Sequence, residues 1–406
     1  MAKQPLSKEE RQKLLEIKLK SIGSLDKIVK GDGFDARHKD YIPLGITEIE
    51  CEMGDLPGFV MGNLIELIGE SGSGKTYVAL KTAAQAQKKG MKVAFFNVEN
   101  SFYEKRANQI GVITRDPELF EMIPNLGSGE DICDTVCAMV ESGLYGLIIV
   151  DSVTALIPND SLEKSFNDAR KIGAHAVLVG ELAKKLTYLT GEYNTNVILI
   201  NQFRIGSGAM PNTFVKKATG GEGLYFYDHY RFTFKKIGGA AGAIYNADKQ
   251  VIGGKTELTM HKIRYAAPNT KVIFPIYFTE EDSNPVVDFL MRAKARNVEL
   301  IKEVGAKSKK RYQYITEDGE IIESGDTKEF IKLLMETPAP TKRTRNDQSN
   351  TAFEFICRKI KFDDKMVSEM LDKLEKESVF ETPAELIGYT EEVDFDDSFY
   401  KDLTGS

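Results

Sequence analysis

The most restrictive feature of the chain is GESGSGKT at residues 69–76, set between the apolar run NLIELI and a helical pattern that begins YVALKTAAQAQ. The string fits G-x-x-x-x-G-K-[ST], and its flanks supply the strand, turn and helix that give the motif its meaning. Gly69, Gly72 and Gly74 let backbone N–H groups surround phosphate oxygens, with Glu70, Ser71 and Ser73 completing the turn. Lys75 then reaches the outer phosphates, and Thr76 offers its hydroxyl to magnesium. A chance glycine-rich turn is the alternative. Agreement of the motif with both flanking elements weighs against it.

From residue 60 to about 280, compact apolar runs alternate with helical patterns: NLIELIG, KVAFFNV, LYGLIIVDS and NVILINQ, then YRFTFKK, ELTMHKI and VIFPIYF. The first four are continuous rather than alternating, the pattern of strands covered by helices on both faces. They predict an α/β domain with a mostly parallel central sheet. The last three carry more charge and follow closely on one another, so antiparallel additions at one edge are expected.

Three strand ends carry side chains suited to phosphoryl chemistry. LIIVDS brings Asp151 to a strand end about 75 residues after the phosphate loop, where a carboxylate can hold magnesium or its waters. KVAFFNV runs into Glu99; a carboxylate there either orients a water for in-line attack or is simply solvated. NVILINQ ends in Asn201 and Gln202. The Gln202 amide both donates and accepts, so it either reports the phosphate state to the following loop or satisfies a local turn.

Taken in order, GESGSGKT, the VEN strand end with Glu99, LIIVDSVTALIP, NTNVILINQFR, Gly220-Gly221 before LYFY, and HKIRYAAP resemble the RecA family over roughly residues 40–330. The resemblance implies a RecA-type ATPase that takes ATP and Mg2+, forms helical filaments with itself on single-stranded DNA, and pairs that strand with homologous duplex DNA. It also implies roles. Lys75 and Thr76 would bind nucleotide and magnesium, Asp151 would be the strand-end acid, Glu99 the catalytic carboxylate, and Gln202 the switch between nucleotide and DNA. Lys262 and Arg264 align with two basic residues that in bacterial RecA reach the ATP of the adjacent subunit; without the resemblance they read as exposed strand charges. Tyr103 and Arg106 occupy the places where bacterial RecA contacts adenine, with different residue types.

Two DNA-binding loops are implied as well. PNDSLEKSFNDARKIG carries Lys164, Arg170, Lys171 and Ile172. FRIGSGAMPNTFVKKATGG, one residue longer than its bacterial counterpart, carries Arg204, Met210, Phe214, Lys216 and Lys217. Basic groups can follow a phosphate backbone while apolar side chains wedge between bases, without reading sequence. A solvated loop is the plain alternative.

Before the core, residues 1–40 contain LSKEERQKLLEIKLKSIG, where Ser7 and Glu10 have capping-box spacing and Leu15, Leu19 and Ile22 share a helical stripe. This helix packs either on its own domain or on a neighbouring subunit. The core is expected over 41–282, followed by a small α/β domain at 283–336 with a hairpin turning at Asp318-Gly319. A polar linker or loop follows at 337–350, then a helical extension at 351–390 and an acidic tail at 391–406. The end of the chain is more similar to bacteriophage recombinases of the UvsX type than to bacterial RecA.

Net charge is -7, but residues 391–406 account for -5 of it, leaving -2 for the rest. Whole-chain charge therefore does not exclude a local basic groove. The four cysteines are too scattered for a disulfide framework and are expected as buried, reduced thiols. No apolar run reaches the roughly 20 residues of a membrane span and the start lacks a secretion signal, so no membrane partner and a cytoplasmic location are expected, a bacterial host's if the chain is phage-encoded. Mediator or single-strand-binding proteins are further candidate partners. The rival readings are a ring helicase of the same fold, marked by steady unwinding, and a mediator that binds a recombinase without exchanging strands.

Overall fold

The computed structural model describes residues 13–21 in part, 40–163, 173–207, 214–278 apart from 246–249, 301–304, 311–340, 349–359 and 367–371, leaving out isolated positions at 55, 222, 265, 317, 325–326 and 369. The chain divides into two compact units, Met1–Asp40 and Tyr41–Ser406. In the first, the described residues Lys13, Leu15, Ile17, Lys20 and Ser21 are helical, and Leu15 and Ile17 are exposed.

The second unit holds all the strands described. β1 (Tyr41–Ile42) and β2 (Phe59–Val60) form a short antiparallel pair. The main sheet contains β3 (Leu64–Gly69), β4 (Val93–Asn97), β5 (Phe120–Pro124), β6 (Leu147–Asp151), β7 (Asn196–Ser207), β8 (Phe214–Ala218), β9 (Tyr230–Lys236), β10 (Ala243–Tyr245), β11 (Val251–Lys262) and β12 (Thr270–Tyr277). Its order is β10-β11-β9-β3-β7-β6-β4-β5, with β12 on β11 and β8 on β7. β13 (Ile301–Val304), β14 (Arg311–Ile315) and β15 (Ile321–Ser324) make a separate antiparallel sheet.

Continuous apolar runs make sense once the two faces are separated. Alternate residues of the central strands enter opposite cores: Ile65, Leu67, Val93, Phe95, Leu147, Ile149, Ile198 and Ile200 on one side, Leu64, Ala94, Phe96, Ile148, Val150, Val197 and Leu199 on the other. The first core is closed by helix Lys75–Lys88 through Val78, Ala79, Ala83 and Ala86, and by Ala107 and Ile110 of helix Glu104–Ile110. The second is closed by helices Gly129–Glu141 and Ala174–Tyr193. Helix Gly129–Glu141 starts where Ser128 accepts from the Asp131 N–H at 3.0 Å, with Glu130 and Asp131 in its first turn favouring the dipole. Phe96 is fully buried in the second core, so Phe96→Ala is expected to cost about 3–5 kcal/mol, read as a lower urea midpoint.

The mostly parallel sheet agrees with expectation, with one correction at its edge. β9 (YRFTFKK), expected as an antiparallel addition, runs parallel to β3, whereas β10, β11 and β12 pair antiparallel. The reason is the preceding connection. After β8 the chain passes through helix Gly223–Tyr227 back to the start of β3, where the His229 N–H donates to the Leu64 carbonyl at 2.8 Å.

In the C-terminal part, β14 and β15 form the expected hairpin, with Gly319 at φ 84° and the Gly319 N–H bonded to the Thr316 carbonyl at 3.0 Å. Helices Thr327–Glu336 and Ala352–Lys359 share one apolar core with Tyr314 and Met370. The ends of the polar 337–350 stretch are tied by an antiparallel bridge between Pro338 and Thr351. Residues on both sides of that stretch therefore bury the same apolar surface.

Candidate active site

Parallel sheets gather their strand ends, and here the C-terminal ends of β3, β4, β6 and β7 converge. Gly69 lies beside Gln202 in register, Asn97 beside Asp151, and Asp151 beside Ile200. The Val98 and Glu99 N–H groups both donate to the Asp151 carbonyl, at 2.9 and 3.1 Å. Sequence positions more than 130 residues apart thus meet at one edge.

The phosphate loop closes this edge. Gly74 has φ 97°, a conformation that favours glycine, and a Cβ there would come within 2.3 Å of Ile276 Cδ1. Ser73 Oγ donates to the Glu70 carbonyl at 2.7 Å, fixing the turn. Lys75 Nζ donates to the Gly69 and Glu70 carbonyls, at 3.0 and 2.7 Å. Burial lowers the Lys75 pKa, while Asp151, Glu99 and Glu70 act in the opposite direction.

Thr76 Oγ1 donates to Asp151 Oδ2 at 2.8 Å. Burial pushes the Asp151 carboxyl up to about 6, against the Thr76 hydrogen bond; Glu99 adds to the rise and Lys75 opposes it. A hydroxyl and a carboxylate side by side at the end of a glycine turn are hard oxygen donors of the kind magnesium takes, sparse enough to leave room for phosphate and water ligands. Among the described residues no cluster of three or more His, Cys, Asp or Glu side chains could hold another metal.

Glu99 is exposed but not idle: its carboxylate accepts from Ser152 Oγ and, at 3.0 Å, from Gln202 Nε2. Gln202 is itself tied by its backbone. Its carbonyl accepts from the Thr219 N–H (3.1 Å) and Thr219 Oγ1 (2.9 Å), at the far end of the β7–β8 segment. That segment, expected as a loop, is a two-stranded ladder at its base, with Arg204 opposite Lys217 and Ser207 opposite Phe214. Strand β7 continues past the sheet because F-R-I is followed on the return strand by F-V-K, stretches rich in aromatic and β-branched residues. Lys216 also lies on this return strand, opposite Ile205. Met210 lies outside the described residues, as do Lys164, Arg170, Lys171 and Ile172 of the first loop.

Tyr103 caps helix Glu104–Ile110 and is 66% exposed. Arg106 is pinned instead, donating to the Phe278 and Tyr277 carbonyls at 2.6 and 2.5 Å with its guanidinium 5.9 Å from the Tyr77 ring centre. Tyr77 directly follows Thr76, so Arg106 and Tyr77 flank the loop together.

Lys262 and Arg264 do not join this cluster. Lys262 pairs with Arg231 between β11 and β9, and Arg231 pairs with Glu66 in β3, three residues before Gly69. That is a retreat of roughly 10 Å along the strands plus about 10 Å across two strand spacings. Arg264 is exposed just beyond the end of β11.

Sequence reasoning missed the residues between these regions. Glu66 is fully buried, forms an ion pair with Arg231, and accepts from Asn201 Nδ2 at 2.7 Å. Asn201 also donates to the Thr219 carbonyl at 2.8 Å and accepts the Gln202 N–H at 2.8 Å. A lone glutamate inside the run NLIELI was the available signal, because a buried carboxylate demands a partner.

The family model described as the RecA N-terminal domain matches residues 14–282. The chain belongs to the RecA family. Among its RecA relatives, Protein RecA of Bdellovibrio bacteriovorus is 34% identical over 242 residues, covering 59% of this chain and 60% of the relative. Protein RecA of Gluconobacter oxydans is also 34% identical over 242 residues, covering 59% of this chain and 66% of its own length. Protein RecA of Geobacter metallireducens is 32% identical over 281 residues, covering 67% and 78%. The matched region thus spans less than two thirds of the first two relatives. No helix among the described residues is long and apolar enough to cross a membrane.

Proposed function

We propose that this RecA-family protein is a DNA-dependent ATPase that assembles with itself on single-stranded DNA and pairs that strand with a homologous duplex. The observation that carries the reading is the Glu99–Gln202 hydrogen bond, because Gln202 is held at the same time by Thr219 at the base of the β7–β8 ladder. A change at the outer phosphate that draws Glu99 or Gln202 toward it must pull on that ladder. DNA held by Arg204, Met210, Phe214, Lys216 and Lys217 would act back on the carboxylate in the same way.

Within a subunit the phosphate loop and Lys75 would hold the triphosphate, and Thr76 and Asp151 would hold magnesium. Bound magnesium supplies positive charge beside the outer phosphates. Glu99 orients the attacking water and draws its proton, while Gln202 fixes the carboxylate. Arg106 and Tyr77, beside the loop, would flank the base.

Lys262 and Arg264 sit too far back along the sheet to reach their own phosphate loop. Their placement supports service to a neighbouring subunit, where cations that stabilise transferring phosphoryl groups contribute about 10³-fold or more. Lys164, Arg170, Lys171 and Ile172 are assigned to the DNA path by family resemblance. Since homology is tested by base pairing, the protein needs only backbone and stacking contacts.

Joint-molecule formation between single-stranded DNA and a homologous duplex, with ATP and magnesium, tests the reading. Joint molecules with the homologous duplex and none with a heterologous one are expected. Steady unwinding without pairing would favour a ring motor, and stimulation of another recombinase without either activity would favour a mediator.

A further inference from the structure

Lys262 is held by a specific set of partners within its own subunit. Its ammonium donates to Asp228 Oδ1 at 3.0 Å and to the Tyr225 and Phe226 carbonyls at 3.2 and 3.5 Å. Asp228 is the buried partner: its side chain has no exposed surface, whereas 41% of the Lys262 side chain is exposed. Arg231 of β9 stands 3.2 Å from Asp228 Oδ2, and the same Arg231 Nη1 also pairs with Glu66 of β3. Two buried carboxylates therefore face two cations.

Withdrawing Lys262 from this group leaves two carboxylates around Arg231 alone, so either a net negative charge stays out of water or Asp228 must take up a proton. Burial, reinforced by Glu66, already pushes the Asp228 carboxyl up to about 7 against the pull of Arg231 and Lys262. Breaking one side of such a group is strongly unfavourable unless the departing cation finds comparable negative charge. A nucleotide triphosphate offers it.

We propose that Asp228 is a positioning residue that holds Lys262 back in the unassembled subunit and yields it only to a neighbour's nucleotide. This rests on the reading that Lys262 acts across a subunit junction. Asp228 touches no substrate; it sets how much protein must be present before Lys262 changes partner.

The test follows assembly by light scattering and ATP turnover against protein concentration, with ATP and magnesium but no DNA. The proteins compared are the full chain, Asp228→Asn, Lys262→Ala and the double variant. Asp228→Asn keeps the shape and an acceptor but removes the charge, so assembly should begin at about tenfold lower concentration, the worth of one charge-assisted hydrogen bond. In the Lys262→Ala background the same substitution should leave the threshold where Lys262→Ala alone puts it.

An unmoved threshold in Asp228→Asn, or an equal shift when Lys262 is already gone, overturns the proposal. Asp228→Ser provides a second neutral variant. Loss of ATP binding in both would make Asp228 a folding residue and overturn it too. If Lys262→Ala turns over ATP as fast as the full chain, the trans reading of Lys262 fails instead, a result distinct from a failure confined to Asp228.

Discussion

Glu99→Gln is expected to lower ATP turnover about 10²–10⁴-fold while ATP binding is retained. The substitution is nearly isosteric, and the new amide oxygen can still accept from Ser152 and Gln202, the two partners of the native carboxylate. It cannot take a proton from water. Because the surrounding geometry survives, hydrolysis is lost without loss of the nucleotide-bound form, and the assembled state should persist longer once formed. Single-turnover hydrolysis with a parallel ATP-binding titration separates the two effects. Equal loss of both would contradict the role assigned to Glu99.

Lys75→Ala should act one step earlier, on binding itself. Lys75 is buried and lies among Asp151, Glu99 and Glu70, whose charges favour its protonated form. Removing it takes away the cation that meets the outer phosphates and leaves three carboxylates facing a polyanion. Breaking a buried ionic arrangement costs about 3–5 kcal/mol, or roughly two to three and a half decades in ATP affinity. Fluorescent-nucleotide titration reads this directly. ATP binding near the wild-type level would show that the glycine turn holds the phosphates unaided.

The two substitutions mark how far the sequence alone could be read. The phosphate loop was legible because its motif and both flanking elements agree. The central strands were legible because residues such as Phe95 and Phe96 face opposite apolar cores, which makes the runs nearly continuous in apolar residues. The direction of β9 was not legible, since parallel entry depends on where helix Gly223–Tyr227 returns the chain, a tertiary matter. Strand pattern likewise could not distinguish a loop after Gln202 from the ladder that pairs Arg204 with Lys217.

The charged residues of the later strands were the hardest to place. Arg231, Lys262 and Asp228 look like ordinary solvated charges in YRFTFKK, HKIRYAAP and LYFYDHY. Folding joins them in a chain of ion pairs from Lys262 through Asp228 and Arg231 to Glu66, and Asn201 extends it to Gln202. Three of the four cysteines behaved as their type suggests: Cys133, Cys137 and Cys357 are buried free thiols, with burial pushing Cys133 and Cys357 up to about 12. Cys51 is only partly buried. The family match covers residues 14–282.

The central claim is that one subunit's phosphate site is completed by cations from the next, so hydrolysis and polymerisation are a single event. ATP turnover per subunit, measured alongside sedimentation across protein concentrations with and without a single-stranded oligonucleotide, addresses it most directly. Turnover should be near zero wherever the protein sediments as a monomer and rise steeply as assemblies form on the oligonucleotide. A monomer that hydrolyses ATP at the full rate, unaffected by oligonucleotide, would contradict the account.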